Sequence, residues 1–184
     1  MFQPGDVLLY TAPALKFDNI VPRFIRVITG NKVTHVAVYL GMVNENHLVV
    51  EALSDGIKIR TYSETTIADR KDDFKLYGIA RLPNLEVDFK NKIFAVSAAK
   101  YTHAPYGYLT ILNLLLQHSR GWIVPKKPWV VWFKSKKGYV CSEVAQLVIG
   151  DVLELNNIPS PFKKPAAVTE PDDYLVSPWE VIKV

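Results

Sequence analysis

Val7-Leu8-Leu9-Tyr10 is a short apolar run behind a Pro4-Gly5-Asp6 turn signal, and it predicts a buried strand. The period then lengthens: Phe17, Ile20, Val21, Phe24, Ile25 and Ile28 recur at helical spacing, with Pro22 in the first turn and Gly30 as the C-cap. Val33 to Leu40 and Leu48 to Leu53 are apolar, β-branched runs separated by Gly41–Asn46, the signature of a hairpin with a loop longer than two residues. A third strand is predicted near Leu76 to Leu82. In the second half, Asn91–Tyr101 and Tyr108–His118 read as helices broken by Pro105 and Gly107, and Cys141–Ile149 reads as a helix through Val144, Ala145, Leu147 and Val148. Gly121 to Gly138 has no clear period, and five prolines between Pro159 and Pro178 mark an extended tail. With strands mostly first and helices mostly later, the expectation is one α+β domain over 1–184, an antiparallel sheet packed against helices.

Within the strand Thr34–Leu40, alternation puts Val36, Val38 and Leu40 on one face and His35, Ala37 and Tyr39 on the other. Matching apolar faces across the hairpin pairs Val36 with Val50 and Val38 with Leu48. That register makes His35 the direct neighbour of Glu51 and sets His47 opposite Tyr39. A carboxylate beside an imidazole fixes its tautomer and raises its pKa, although a surface ion pair has the same pattern.

Composition narrows the field. Hydrophobic residues make up 49% and charged residues 22% of 184, which excludes collagen-like, disordered and disulfide-stapled chains. The net charge of +4 is too small for a nucleic-acid-binding domain. One cysteine, Cys141, has no partner within the chain, so it is an inert core thiol, an intermolecular link or a reactive group. It opens a predicted helix, where free N–H groups and the dipole depress a thiol pKa and can hold an oxyanion. A cysteine at a helix start together with a separate His–acid pair points to nucleophilic catalysis.

Gly5-Asp6-Val7-Leu8-Leu9, Thr34-His35-Val36-Ala37-Val38-Tyr39-Leu40-Gly41 and Val49-Val50-Glu51-Ala52 resemble the core of NlpC/P60-type papain-fold peptidases. In the ordinary family the cysteine helix precedes these strands, whereas Tyr139-Val140-Cys141-Ser142-Glu143-Val144 follows them here. That order resembles the circularly permuted branch, the YaeF/YiiX-like and lecithin retinol acyltransferase-like proteins. Thr29-Gly30 before the histidine strand and Val168–Leu175 after the cysteine helix fit the YiiX-like pattern. The resemblance implies a permuted papain-like fold in which Cys141 is the nucleophile, His35 the general base and acid, and Glu51 the orienting residue. It implies Tyr106 and Tyr108 near the cleft; Tyr39 and Tyr139 join them as candidate substrate contacts. The implied activity is amide hydrolysis through a thioester, on peptidoglycan-type peptides or N-acyl amino-acid substrates, with no cofactor and no metal. The acyltransferase relatives usually carry Asn before the nucleophile, where this chain has Val140. Lipid acyl hydrolysis or transfer on the same residues is the alternative, and an inactive binding module of this fold is another.

His103 beside Pro105 and His118 at a helix end read as structural, and His47 could line a cleft edge. No zinc-site spacing, Walker or Rossmann pattern is present. Residues 126–137 interleave lysines with aromatics, a surface loop first and a weak contact for membrane or anionic polymer second. No apolar run is long enough to span a bilayer. Met1–Asp6 lacks a signal-peptide pattern, so the expectation is a cytoplasmic protein as encoded, released by lysis, a dedicated secretion system or a virion.

Overall fold

Leu8 and Leu9 point to opposite sides of one strand and both are fully buried, so the sheet they belong to is covered on both faces. The computed structural model describes residues 2–11, 30–53, 55–62, 69–70, 74–83, 93–108, 110–111 and 138–183. The strands are β1 (Val7–Thr11), β2 (His35–Val43), β3 (Asn46–Leu53), β4 (Gly56–Tyr62), β5 (Asp69–Arg70), β6 (Phe74–Arg81) and β7 (Glu180–Lys183). They form one antiparallel sheet of order β4-β3-β2-β1-β6-β5, with β7 also pairing β6. Helices α1 (Ile93–Ala99) and α2 (Cys141–Leu155) pack together and against β2. The α+β architecture agrees with the sequence pattern.

The main core lies between one sheet face and the helices. Val7, Leu9, Val36, Val38, Val50 and Ile57 meet Phe94, Val144, Val148, Ile149 and Val152. Each such side chain contributes about 1.5–3 kcal/mol on burial, which is why α2 lies flat on β2 and β3. The other face carries Leu8, Tyr10, Ala37, Tyr39, Val49, Tyr62 and Ile79. His35 and Glu51 share that second face with Ala37 and Val49 by alternation.

Several elements differ from expectation. β4 follows a turn at Asp55-Gly56 and alternates Ile57 and Ile59 with Lys58 and Arg60, a period-2 signal masked by its charges. The two-residue β5 and the tail strand β7 are too short to announce themselves, and the tail also folds into 3-10 turns at Ala166–Val168 and Pro171–Leu175. Helix α2 continues past Ile149 because Val152 and Leu153 keep the apolar stripe, ending where Asn157 takes a positive φ. The chain leaves helix α1 at Ala99, before Tyr101. The predicted helix over 17–28, most of that over 108–118, and residues 126–137 lie outside the described residues; Tyr108, Thr110 and Ile111 are helical.

The Gly5-Asp6 pair has a structural reason. Gly5 has φ +91°, and a Cβ there would stand 2.6 Å from the Phe94 ring. Asp6 is buried and accepts Gln3 N–H and both Nε and Nη2 of Arg81, each at 2.8 Å. This fork holds the N-terminal turn to β6 and raises the Arg81 pKa. Among the described residues no helix is long and apolar enough to cross a membrane.

Candidate active site

The β2–β3 hairpin closes more tightly than its composition suggests. Val43 pairs with Asn46 around Asn44-Glu45, both at positive φ, so the strands run on to a two-residue turn. A register shift between Tyr39 and Gly41 then leaves Val38 on Val50 and Ala37 on Glu51. The predicted pairing is therefore displaced by two residues: Glu51 is the diagonal, not the direct, neighbour of His35. Parity survives the displacement, and a glutamate is long enough for the diagonal. Glu51 Oε2 stands 3.0 Å from His35 Nε2. His47 pairs with Met42 instead of facing Tyr39, yet its Nδ1 lies 2.8 Å from the Tyr39 hydroxyl across the bulge.

The ladder between β2 and β3 stops at Ala37, one residue short of Val36. At that end the start of α2 meets the sheet. Cys141 hydrogen-bonds the His35 side chain, and the backbone N–H groups of Val36 and Ser142 also reach the sulfur. With Nε2 on Glu51, Nδ1 is the nitrogen left for the thiol. The result is a line of thiol, imidazole and carboxylate, with residual exposures of 7% for Cys141, 6% for His35 and 1% for Glu51.

Burial opposes charge on both members of the pair, and the pair overcomes it. Burial lowers the His35 pKa, but the Cys141 thiolate, the hydrogen bond to it and then Glu51 raise it from 6.5 to about 9. Burial likewise raises the Cys141 pKa, and the His35 charge, its hydrogen bond and the Val36 and Ser142 N–H groups bring it below 9.0. The favoured state is thiolate beside imidazolium. Helix α2 contributes through its uncapped start, with Val140 as an N-cap lacking any side-chain bond.

Glu51 is itself held from behind. Tyr62 donates its hydroxyl to Oε1, and Arg60 Nη1 stands 3.8 Å from the same oxygen. Both come from β4, so the unpredicted strand supplies the carboxylate's anchors; its alternation is the signal that could have found them.

The tyrosines divide. Tyr106 lies within electrostatic reach of the thiol: burial, the charge on Cys141 and Tyr108 raise its pKa in that order. Tyr108 is 57% exposed and packs edge-on to the Tyr106 ring at 5.1 Å. Tyr139, two residues before Cys141, forms an isolated bridge with Tyr106 and packs edge-on against Tyr101. Tyr39 is buried in the second cluster, where its ring packs on Phe2 and its hydroxyl meets His47. His103 is a turn residue at φ +67° whose N–H bonds the Ile57 carbonyl at 3.1 Å. The segment Val168–Leu175 carried only a family resemblance, and its contacts with the start of α2 were not anticipated: Ser142 Oγ donates to the Thr169 carbonyl at 2.6 Å, and Tyr174 donates to the Ser142 carbonyl at 3.0 Å. Among the described residues no group of three or more His, Cys, Asp or Glu is arranged to hold a metal ion. A groove of about 470 Å³ lies along α2 between Gln146, Gly150 and Phe162, and Cys141 is not part of its lining.

No family model matches the chain, and no curated protein matches it. The site therefore rests on its own geometry.

Proposed function

We propose that the protein is a cysteine hydrolase of amide bonds with a permuted papain-like fold, acting on peptidoglycan-type peptides or N-acyl amino-acid amides. The observation that carries this reading is the buried line Cys141–His35–Glu51, in which a thiol at a helix start hydrogen-bonds an imidazole that a carboxylate orients. The order of strand, strand and late cysteine helix supports the permuted fold.

The steps follow from the geometry. The Cys141 thiolate attacks the carbonyl carbon, and its electrons pass to the carbonyl oxygen, which N–H groups at the start of α2 stabilise. As the C–N bond breaks, the His35 imidazolium gives its proton to the departing amine. Water then attacks the thioester while His35 takes its proton, the C–S bond breaks, and thiolate and imidazolium are restored. Glu51 keeps Nδ1 turned toward the sulfur throughout.

The test is mass spectrometry of the protein mixed with a set of N-acyl amino-acid and muropeptide amides. A covalent acyl adduct on Cys141, absent in Cys141→Ala, is expected. His35→Ala should lower turnover by about 10²–10⁴-fold. Equal turnover in wild type and Cys141→Ala, with no adduct, overturns the reading.

A further inference from the structure

Proton exchange between Cys141 and His35 needs their separation held to about half an ångström. The β2–β3 ladder ends before His35, which among the described strands only β1 pairs, through Tyr10, with residues 31–34 outside the sheet, and α2 starts without a side-chain cap. Both partners are instead tied to one short stretch, Thr169–Tyr174. On the helix side are the Ser142 hydroxyl on the Thr169 carbonyl at 2.6 Å and the Tyr174 hydroxyl on the Ser142 carbonyl at 3.0 Å. On the strand side, Asp172 accepts the N–H groups of Val33 at 2.8 Å and Lys32 at 3.0 Å, and Asn31 Nδ2 donates to Glu170 at 2.9 Å. The stretch is stiff between these attachments. Glu170 and Asp173 cap it reciprocally, Pro171 opens its 3-10 turn, and Lys164 Nζ holds Asp173 at 2.6 Å.

We propose that Asp172 and Tyr174 are positioning residues for the Cys141–His35 pair, the two ends of a clasp that fixes the distance between thiol and imidazole. Tyr174 holds the residue after the cysteine, and Asp172 holds the residue two before the histidine. The inference rests on the reading of this pair as nucleophile and base. Neither residue touches the reacting atoms. Among the described residues, His35 hydrogen-bonds the sulfur, with Glu51 behind it, and Tyr106 and Tyr174 lie within reach of its charge. Asp172→Asn leaves that set intact and weakens only the strand attachment.

The experiment is the pH dependence of Cys141 alkylation by iodoacetamide in wild type, Asp172→Asn, Tyr174→Phe and Asp151→Asn. Cys141 is the only cysteine, so the rate reports on it alone. Asp151 accepts Ser97, Lys100 and Tyr101 at 3.1, 3.0 and 3.0 Å and ties α1 to α2, away from the pair. In Asp172→Asn and Tyr174→Phe the midpoint is expected to rise toward 9 by about half a pH unit or more. Asp151→Asn should lower thermal stability and leave the midpoint in place. If one clasp variant does not fold, the other decides, since Tyr174→Phe keeps the buried ring and loses only a hydroxyl. A wild-type midpoint well below 9 that neither folded variant moves overturns the clasp alone. An ordinary thiol midpoint in wild type overturns both the clasp and the hydrolase reading.

Discussion

A histidine whose pKa is raised and a cysteine whose pKa is lowered act in opposite directions on stability. His35 is stabilising below its ordinary 6.5, and that contribution is lost as pH rises through about 9. Cys141 is stabilising above 9.0, and its contribution is lost as pH falls through its lowered folded value. Where the two windows overlap the slopes oppose, because the proton moves within the pair instead of leaving it. The proposed activity, by contrast, needs both charges, so the pH–rate profile should have its alkaline limb near 9, set by His35. Glu51→Gln removes one cause of the raised value, and the alkaline limb should move to lower pH. The lost charged hydrogen bond, worth about 1.5–3 kcal/mol, implies a turnover about ten- to a hundred-fold lower at neutral pH. An unmoved limb in a pH series of initial rates would count against Glu51 as the orienting group. All three members of this line were legible from residue type and parity, since alternation survives a displacement of two. The anchors Tyr62 and Arg60 were not, because a strand carrying Lys58 and Arg60 reads as polar until its alternation is counted.

Two glycines separate close approach from open space at the level of elements. A Cβ on Gly107 would stand 2.9 Å from both the Gly138 carbonyl oxygen and the Tyr139 carbonyl carbon, in the backbone that leads into Cys141. The segments are joined there by Gly107 N–H on the Tyr139 carbonyl at 2.9 Å and Tyr139 N–H on the Pro105 carbonyl at 3.1 Å. Gly107→Ala should therefore destabilise by about 1–3 kcal/mol in urea unfolding. Gly150 sits inside α2 with nothing within 4 Å of its Cβ position. Gly150→Ala should stabilise by about 0.5–1 kcal/mol in the same assay. Opposite signs are the expected result; two losses would mean that the groove beside α2 is tighter than drawn. The helix α2 was readable because its stripe Val144, Val148 and Val152 keeps the helical period. The 3-10 turns of the tail were not, because five prolines say only where a helix is forbidden and leave open what the side chains between them bind.

At the scale of the molecule, one ion pair ties the N-terminal turn to β6, the strand that also pairs the tail strand. Arg81→Ala leaves Asp6 buried without its guanidinium fork, and should cost about 3–5 kcal/mol in thermal or chemical unfolding. Residue pattern could not announce this pair, since Asp6 and Arg81 are 75 positions apart. The same is true of the strand side of the clasp, whose bonds join residues 139 or 140 apart. Contacts of such long sequence separation close slowly and late in folding. A ribosome delivers the histidine strand first, the cysteine helix much later, and Thr169–Tyr174 after both. A growing chain thus carries its only thiol before it carries the means to sharpen it.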